Sequence, residues 1–214
     1  MLIGLTGAAG AGKDTAADIL ESAGWARCAF ADALRGEVIY AYRVDPRALN
    51  RRDTKEQPIP ALAIARASNA SWRHHCTEQG LDAHAPRSAR WTLQQWGEWR
   101  RGIKPDHWVR PVLAWVQMQR LYAAGVGVQV VTDVRHANEA EALRALGGLI
   151  VRVHRLDNTT RLADDTAQHA SEQYLQICAD ADVHNDSTRD ALASELLRVL
   201  EQLASATTPP EQPA

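Results

Sequence analysis

The stretch Met1-Leu-Ile-Gly-Leu-Thr6, running into Gly7-Ala-Ala-Gly-Ala-Gly12-Lys13-Asp14-Thr15, decides how this chain is read. A short apolar run enters a glycine-rich turn and a lysine. A helical pattern follows, in which Ala16, Ala17, Ile19 and Leu20 recur. The spacing G-x-x-x-x-G-K between a strand and a helix is that of a phosphate-binding loop. Glycines let the backbone curl until consecutive N–H groups face one anion, and the helix N-terminus adds its positive dipole end. Lys13 supplies a point charge for the terminal phosphates of a nucleoside triphosphate.

One position departs from the pattern. Such a loop carries Ser or Thr directly after the lysine to hold Mg²⁺, whereas here Asp14 intervenes and Thr15 comes one step later. Asp14 has two readings, and both stand at this level. It is a first-turn carboxylate favoured by the helix dipole, or it contacts Mg²⁺ or a metal-bound water beside the phosphates together with Thr15.

Working outward, the 214 residues suit one domain, 1–204, with a helical subregion over 45–124. The hydrophobic share of 45% suits a full core, and a formal charge of −2 does not suit a general nucleic-acid binder. Cys28, Cys76 and Cys178 are scattered and odd in number, which argues against a disulfide framework and for a reducing cytoplasm. The chain enters a core strand at once, so no secretory leader is expected. No apolar run approaches the ~20 residues of a membrane span. The tail from Ser205 to Ala214, with Pro209, Pro210 and Pro213, is expected to be disordered.

Further strands are expected at Trp25–Phe30, Val128–Thr132, Leu149–Val153 and Ala181–His184. Helices are expected at about Asp32–Tyr42, Asn138–Leu146 and Thr188–Leu203. Residues 45 to 90 lose apolar periodicity and read as an insertion of short helices and loops. From Trp91 to Ala124 the pattern is helical, with Trp108, Val112, Trp115 and Tyr122 spaced for one face and Pro111 confined to a first turn or a bend. Strands that are mostly apolar and alternate with helices imply a parallel sheet covered on both faces. The fold class is therefore α/β, a three-layer α/β/α arrangement on a mostly parallel five-stranded sheet.

Ligands of such sheets sit beyond the C-terminal strand ends. Asp133-Val-Arg135 directly follows the Val128–Thr132 strand, where a carboxylate reaches a metal-water shell or substrate and an arginine clamps phosphate. The plainer reading is a surface ion pair worth ~0–1 kcal/mol. From Arg87 to Arg110 the chain carries six basic residues and two acidic ones, net +4. Arginine forks there suit phosphate, although a solvated helix face accounts for part of the run. The tryptophans read as core, with Trp108 kept as a candidate because it neighbours the arginines. His74-His75-Cys76 with His84 matches no zinc spacing, and no G-x-S-x-G nucleophile motif is present. The acidic stretch from Asp157 to Glu195 reads as solvated surface and loop.

Taken in order, Gly12-Lys-Asp-Thr15, Phe30-Ala-Asp32-x-Leu34, Arg87, Leu93-Gln94-x-x-Gly97 and Pro105-Asp106-x-Trp108-Val109 resemble the phage-type deoxynucleoside monophosphate kinases. So do Asp133-Val-Arg135-x-x-Asn138-Glu139-Ala140, Gly147-Gly148-x-Ile150, Val153-x-Arg155 and His169-Ala-Ser171-Glu172. The resemblance covers the chain except residues 45–85 and the tail. It implies a P-loop kinase fold with a helical acceptor-binding insertion, and transfer of the ATP γ-phosphate to a deoxynucleoside monophosphate with Mg²⁺. It implies ATP contacts at Gly10, Ala11, Gly12, Lys13, Asp14 and Thr15, and an acceptor surrounded by Arg87, Gln94, Trp108, Asp133, Arg135 and Glu139. Arg155, with Arg161 beside it, would lie near a loop closing over the phosphates. The same resemblance implies a phage or prophage protein in the cytoplasm of a bacterial host. Its partners would be small nucleotides, with neither membrane nor nucleic acid and with a homodimer open to it. The rivals are a dephospho-coenzyme A or phosphomevalonate type of kinase, and a non-enzymatic nucleotide-binding regulator.

Overall fold

The computed structural model describes residues 1–50, 55–122, 127–155 and 173–207. Strand β1 (Leu2–Thr6) is buried along its whole length, as five successive apolar or small residues require. It is the middle strand of a sheet that also contains β2 (Ala26–Ala29), β5 (Gln129–Thr132), β6 (Leu149–His154) and β7 (Ala181–His184). The order across the sheet is β2-β5-β1-β6-β7, and every pairing is parallel. All five C-terminal strand ends therefore open on one edge, and the loop after β1 emerges at its centre.

Residues alternate across β1 as a strand demands. Ile3 and Leu5 join Ala16, Ala17 and Leu20 of α1 (Lys13–Ser22) and Leu192, Leu196, Val199 and Leu200 of α8 (Arg189–Thr207) in one apolar layer. Each large side chain buried there contributes roughly 1.5–3 kcal/mol. Gly4 points to the other face, where an added Cβ would lie 2.7 Å from Leu143 Cδ1 of α7 (Ala137–Ala145) and 2.8 Å from Ile150 Cδ1. The architecture is the expected α/β class, a parallel five-stranded sheet with flanking helices.

The chain forms two compact units, Met1–Phe30 with Pro111–Ala214, and Ala31–Arg110. The second begins earlier and ends earlier than the subregion expected over 45–124. Its core is a tryptophan cluster in which Trp72 lies 5.1 Å from Trp96 and 5.3 Å from Trp99 between ring centroids. Trp72 Nε1 donates to Tyr42 Oη at 2.8 Å. Glu37 accepts from Trp96 Nε1 at 3.0 Å and Arg100 Nε at 2.8 Å, and contacts His107 Nε2 at 2.5 Å. These bonds outweigh the burial penalty and hold its carboxylate below the usual range. Asn69 caps α4 (Ala70–Glu78), and Ser88 caps α5 (Ala89–Ile103). Residues 45–90 carry the expected short helices, including α3 (Arg47–Asn50). They also hold an antiparallel pair, β3 (Pro58–Ile59) with β4 (Arg87–Ser88), that two-residue strands leave no periodicity to reveal.

Several boundaries differ from the sequence reading. The expected helix over 91–124 is two helices, α5 and α6 (Val109–Tyr122). Pro105 disfavours a helical Lys104, which is extended at φ −148° and ends α5. Pro111 sits in the first turn of α6. The buried positions here include Trp108, Val109, Val112 and Val116, whereas Tyr122 is 80% exposed, so the expected Trp108–Tyr122 face is packed at Trp108 and Val112 and opens to solvent at its far end. Trp108 precedes the helix and does not share its phase. Strand β2 is shorter than expected and only partly buried, in keeping with its place at the sheet edge, and Phe30 already opens α2 (Phe30–Tyr42). Helix α8 runs to Thr207, into the expected tail, and residues 208–214 lie outside the described residues. Among the described residues no helix is long and apolar enough to cross a membrane, and no cluster of three metal-ligating side chains occurs.

Candidate functional site

Three glycines shape the turn between β1 and α1. Gly7, Gly10 and Gly12 have φ of 135°, 79° and 100°, where a side chain is strained. Gly7 also has no room for one, because a Cβ would strike the carbonyl oxygen of Val153 on β6. The turn closes through Ala11 N–H to Ala8 O at 3.2 Å, and α1 begins with Ala16 N–H to Gly12 O at 2.9 Å.

Lys13 is 8% exposed and folds back over the loop, its Nζ donating to Gly7 O at 2.9 Å and Ala8 O at 2.8 Å. Burial holds the ammonium below the ordinary lysine range. Asp133 opposes that shift, Arg135 adds to it and Asp14 opposes it. Residues 120 positions apart in sequence thus act on one charge, and Asp133 and Arg135 lie close enough to Lys13 to bias it.

Asp133 terminates β5 with φ 60°, a left-handed conformation that aspartate tolerates better than most residues. Its Oδ1 accepts from Arg135 Nη2 at 3.1 Å, with the carboxylate 20% and the guanidinium 52% exposed. The corner is fastened from two sides. Thr6 Oγ1 donates to Val134 O at 2.8 Å, and Val134 N–H donates to Leu5 O at 3.1 Å. Glu139, fully buried, accepts the N–H of Arg135 at 2.8 Å and of His136 at 3.2 Å. Its carboxylate is thus turned to backbone, and it orients the corner that carries Asp133 and Arg135. Three residues after His136, the N-cap of α7, it takes the N3 position of a capping box.

Asp14 is exposed and accepts from Arg27 Nη2 at 3.2 Å. Arg27 also pairs with Asp18 and lies 3.7 Å from Glu21. The sequence reading missed Arg27, which makes the Asp14 carboxylate a shared one. Thr15, in the same turn of α1, is half-buried, and its hydroxyl has no hydrogen-bond partner among the described residues. Arg155 directly follows β6 and is exposed. Arg161 and the His169-Ala-Ser171-Glu172 stretch lie outside the described residues.

The remaining candidates belong to the unit over 31–110. Arg87 stacks 4.6 Å above the Trp91 ring and donates through Nη2 to Asp82 O at 3.0 Å. Its buried Nε has no partner among the described residues. Gln94 is exposed on α5. Trp108 is 2% exposed, its indole N–H directed at Gly97 O at 3.4 Å, so it is packed. Of the basic run, Arg90 pairs with Glu56 at 2.6 Å, and Arg100 pairs with Glu37 while stacking on Trp99.

A further contact comes from the corner after β7. Asn185 Nδ2 donates to Ala11 O at 3.0 Å, across 174 residues of chain, and Asn185 N–H donates to His154 O at 2.8 Å. No local pattern announces such a contact.

No family model matches this sequence, and no curated protein matches it. Among solved structures the chain is similar to the dephospho-CoA kinase from Campylobacter jejuni, at 13% identity and TM-score 0.47, over 94% of this chain and 96% of that one. It is similar to the shikimate kinase from Aquifex aeolicus vf5 at 16% identity and TM-score 0.45, over 96% and 99%. A sugar kinase from Janibacter sp. HTCC2649 aligns at 15% identity and TM-score 0.43, over 97% and 98%. At such identities neither ligand nor reaction passes from them to this chain.

Proposed function

We propose that the chain is a small-molecule kinase, and within that class a (deoxy)nucleoside monophosphate kinase that moves the γ-phosphoryl group of ATP to a deoxynucleoside monophosphate. The observation that supports this reading most is the convergence of Lys13, Asp133 and Arg135 on one glycine-shaped loop at the C-terminal edge of a parallel sheet. A loop that binds a nucleotide without chemistry has less use for a carboxylate and an arginine held at the next strand end by a left-handed residue and a buried glutamate.

In the reaction an oxygen of the acceptor phosphate forms a bond to the γ-phosphorus as the bond to the bridging β–γ oxygen breaks, and ADP leaves. A phosphate monoester has its second pKa near ~6, so the attacking oxygen is ionised near neutrality and no general base is required. The difficulty is bringing two polyanions into line. The backbone N–H groups from Gly10 to Thr15 and the Lys13 ammonium take the donor phosphates. Arg135 and Arg87 serve the acceptor, with Gln94 on its surface, and Arg155 serves the donor side. Glu139 serves by holding the corner that carries Asp133 and Arg135, and Trp108 serves by packing. The donor set suits a hard cation such as Mg²⁺, because the Thr15 hydroxyl and the Asp133 carboxylate would offer it oxygen ligands. Asp14 would be a further oxygen ligand, paired with Arg27 as Asp133 is with Arg135. Mg²⁺, when bound, neutralises charge on the phosphates.

A coupled assay of ADP release tests the reading, with ATP, Mg²⁺ and a panel of deoxy- and ribonucleoside monophosphates, dephospho-coenzyme A and shikimate. Release that depends on a deoxynucleoside monophosphate is expected. Release only with dephospho-coenzyme A would move the protein to that class, and no acceptor-dependent release would make it a binding module.

A further inference from the structure

The phosphate loop is pressed at one end against β6 and at the other against the corner after β7. Gly7 abuts the Val153 carbonyl, and Gly12 abuts Asn185, where a Cβ on Gly12 would land on Asn185 Nδ2. Asn185 is itself fixed, because its backbone N–H is bonded to His154 O at the end of β6. From there its side-chain amide donates to the carbonyl of Ala11, a residue 1% exposed.

The peptide between Ala11 and Gly12 is trans, since no cis bond occurs among the described residues. In a trans peptide the C=O and the following N–H point in opposite directions. Holding the Ala11 carbonyl against Asn185 therefore sends the Gly12 N–H the other way, off the β7 corner. Gly12 is the residue least able to hold that orientation by itself, since glycine visits positive and negative φ about equally. A flipped peptide would present a carbonyl oxygen where the loop should present a donor.

We propose that Asn185 is a positioning residue for the phosphate loop, whose side-chain amide locks the Ala11–Gly12 peptide with its N–H available to the nucleotide phosphates. The inference rests on the loop binding a nucleoside triphosphate. It adds a residue from the far end of the chain to that function.

The test titrates a fluorescent N-methylanthraniloyl ATP into the full-length protein, its Asn185→Ala variant and its Asn185→Asp variant, with urea unfolding of each alongside. Asn185→Asp keeps the shape, yet sets a carboxylate oxygen against the Ala11 carbonyl and adds negative charge beside the phosphates. Expected are a rise of about tenfold in Kd for Asn185→Ala, a larger rise for Asn185→Asp, and acceptor KM changed less than ATP KM. A role in stability alone would shift the urea midpoints and leave the Kd of the folded protein unmoved, and that result overturns the proposal. Should Asn185→Ala not fold, the isosteric Asn185→Asp carries the comparison. Wild-type protein that binds no analogue would sink the nucleotide reading and this inference with it. Wild-type binding that both variants match would sink this inference alone.

Discussion

Lys13→Met keeps the aliphatic stem and removes the charge. In the folded protein the ammonium gives two charge-assisted hydrogen bonds, to Gly7 O and Ala8 O, and bears a burial penalty that lowers its pKa. For stability the two effects oppose each other, and the unfolding free energy should move by no more than ~1 kcal/mol. For catalysis there is no such offset. A preorganised donor aimed at developing charge contributes ~2.7–4 kcal/mol, so kcat should fall by about 10²–10³-fold. The pH dependence gives an independent check. With the folded pKa below the ordinary 10.5, the unfolded chain holds the proton more tightly, so wild-type stability gains from Lys13 as pH rises through the window just below 10.5. That contribution should vanish in Lys13→Met and show as the difference between the two proteins. ADP-release kinetics and urea titrations at several pH values measure both. Activity within a few-fold of wild type, in a protein with an unchanged unfolding midpoint, would refute the role given to Lys13.

Asp133→Gly relieves the left-handed φ and removes the carboxylate, so it should abolish turnover without loss of thermal stability. Asp133→Ala should lose turnover and also up to ~1 kcal/mol of stability, and a fully active glycine variant would place the carboxylate outside the chemistry. Arg135→Ala and Arg87→Ala should raise acceptor KM far more than ATP KM, and the reverse split would assign them to the donor. In a Mg²⁺ titration at saturating ATP, Thr15→Val and Asp14→Asn should each raise the half-maximal concentration. An unshifted curve for Asp14→Asn would leave that carboxylate a helix-dipole residue. Burial pushes the Cys76 thiol up to about 11, so stability should fall between about pH 9 and 11 as the unfolded thiol ionises first. Cys76→Ala should flatten that fall, and a thiol reagent at pH 8 should modify exposed Cys178 well before Cys76.

The loop, the parallel sheet and the strand-end Asp133–Arg135 pair were legible because each depends on local chemistry. Glycine spacing dictates a backbone curl, unbroken apolar runs dictate buried strands, and a strand end in a parallel sheet dictates where ligands meet the fold. The helix break at Lys104-Pro105 was equally local but was hidden by the tryptophan periodicity around it. The two-residue β3–β4 pair was too short to carry a period at all. Trp108 and Glu139 carried the right residue types for a site, but only the tertiary structure shows that the one is packed and the other accepts backbone N–H groups. What only the tertiary structure decided is which distant groups share a field or a bond. Asp133 acts on the Lys13 charge because β5 pairs with β1, Arg27 takes up Asp14 where β2 follows α1, and Asn185 grips Ala11 from the other end of the chain. Sequence periodicity describes how a segment turns its own faces. It holds no record of the segment 174 residues away that those faces will meet.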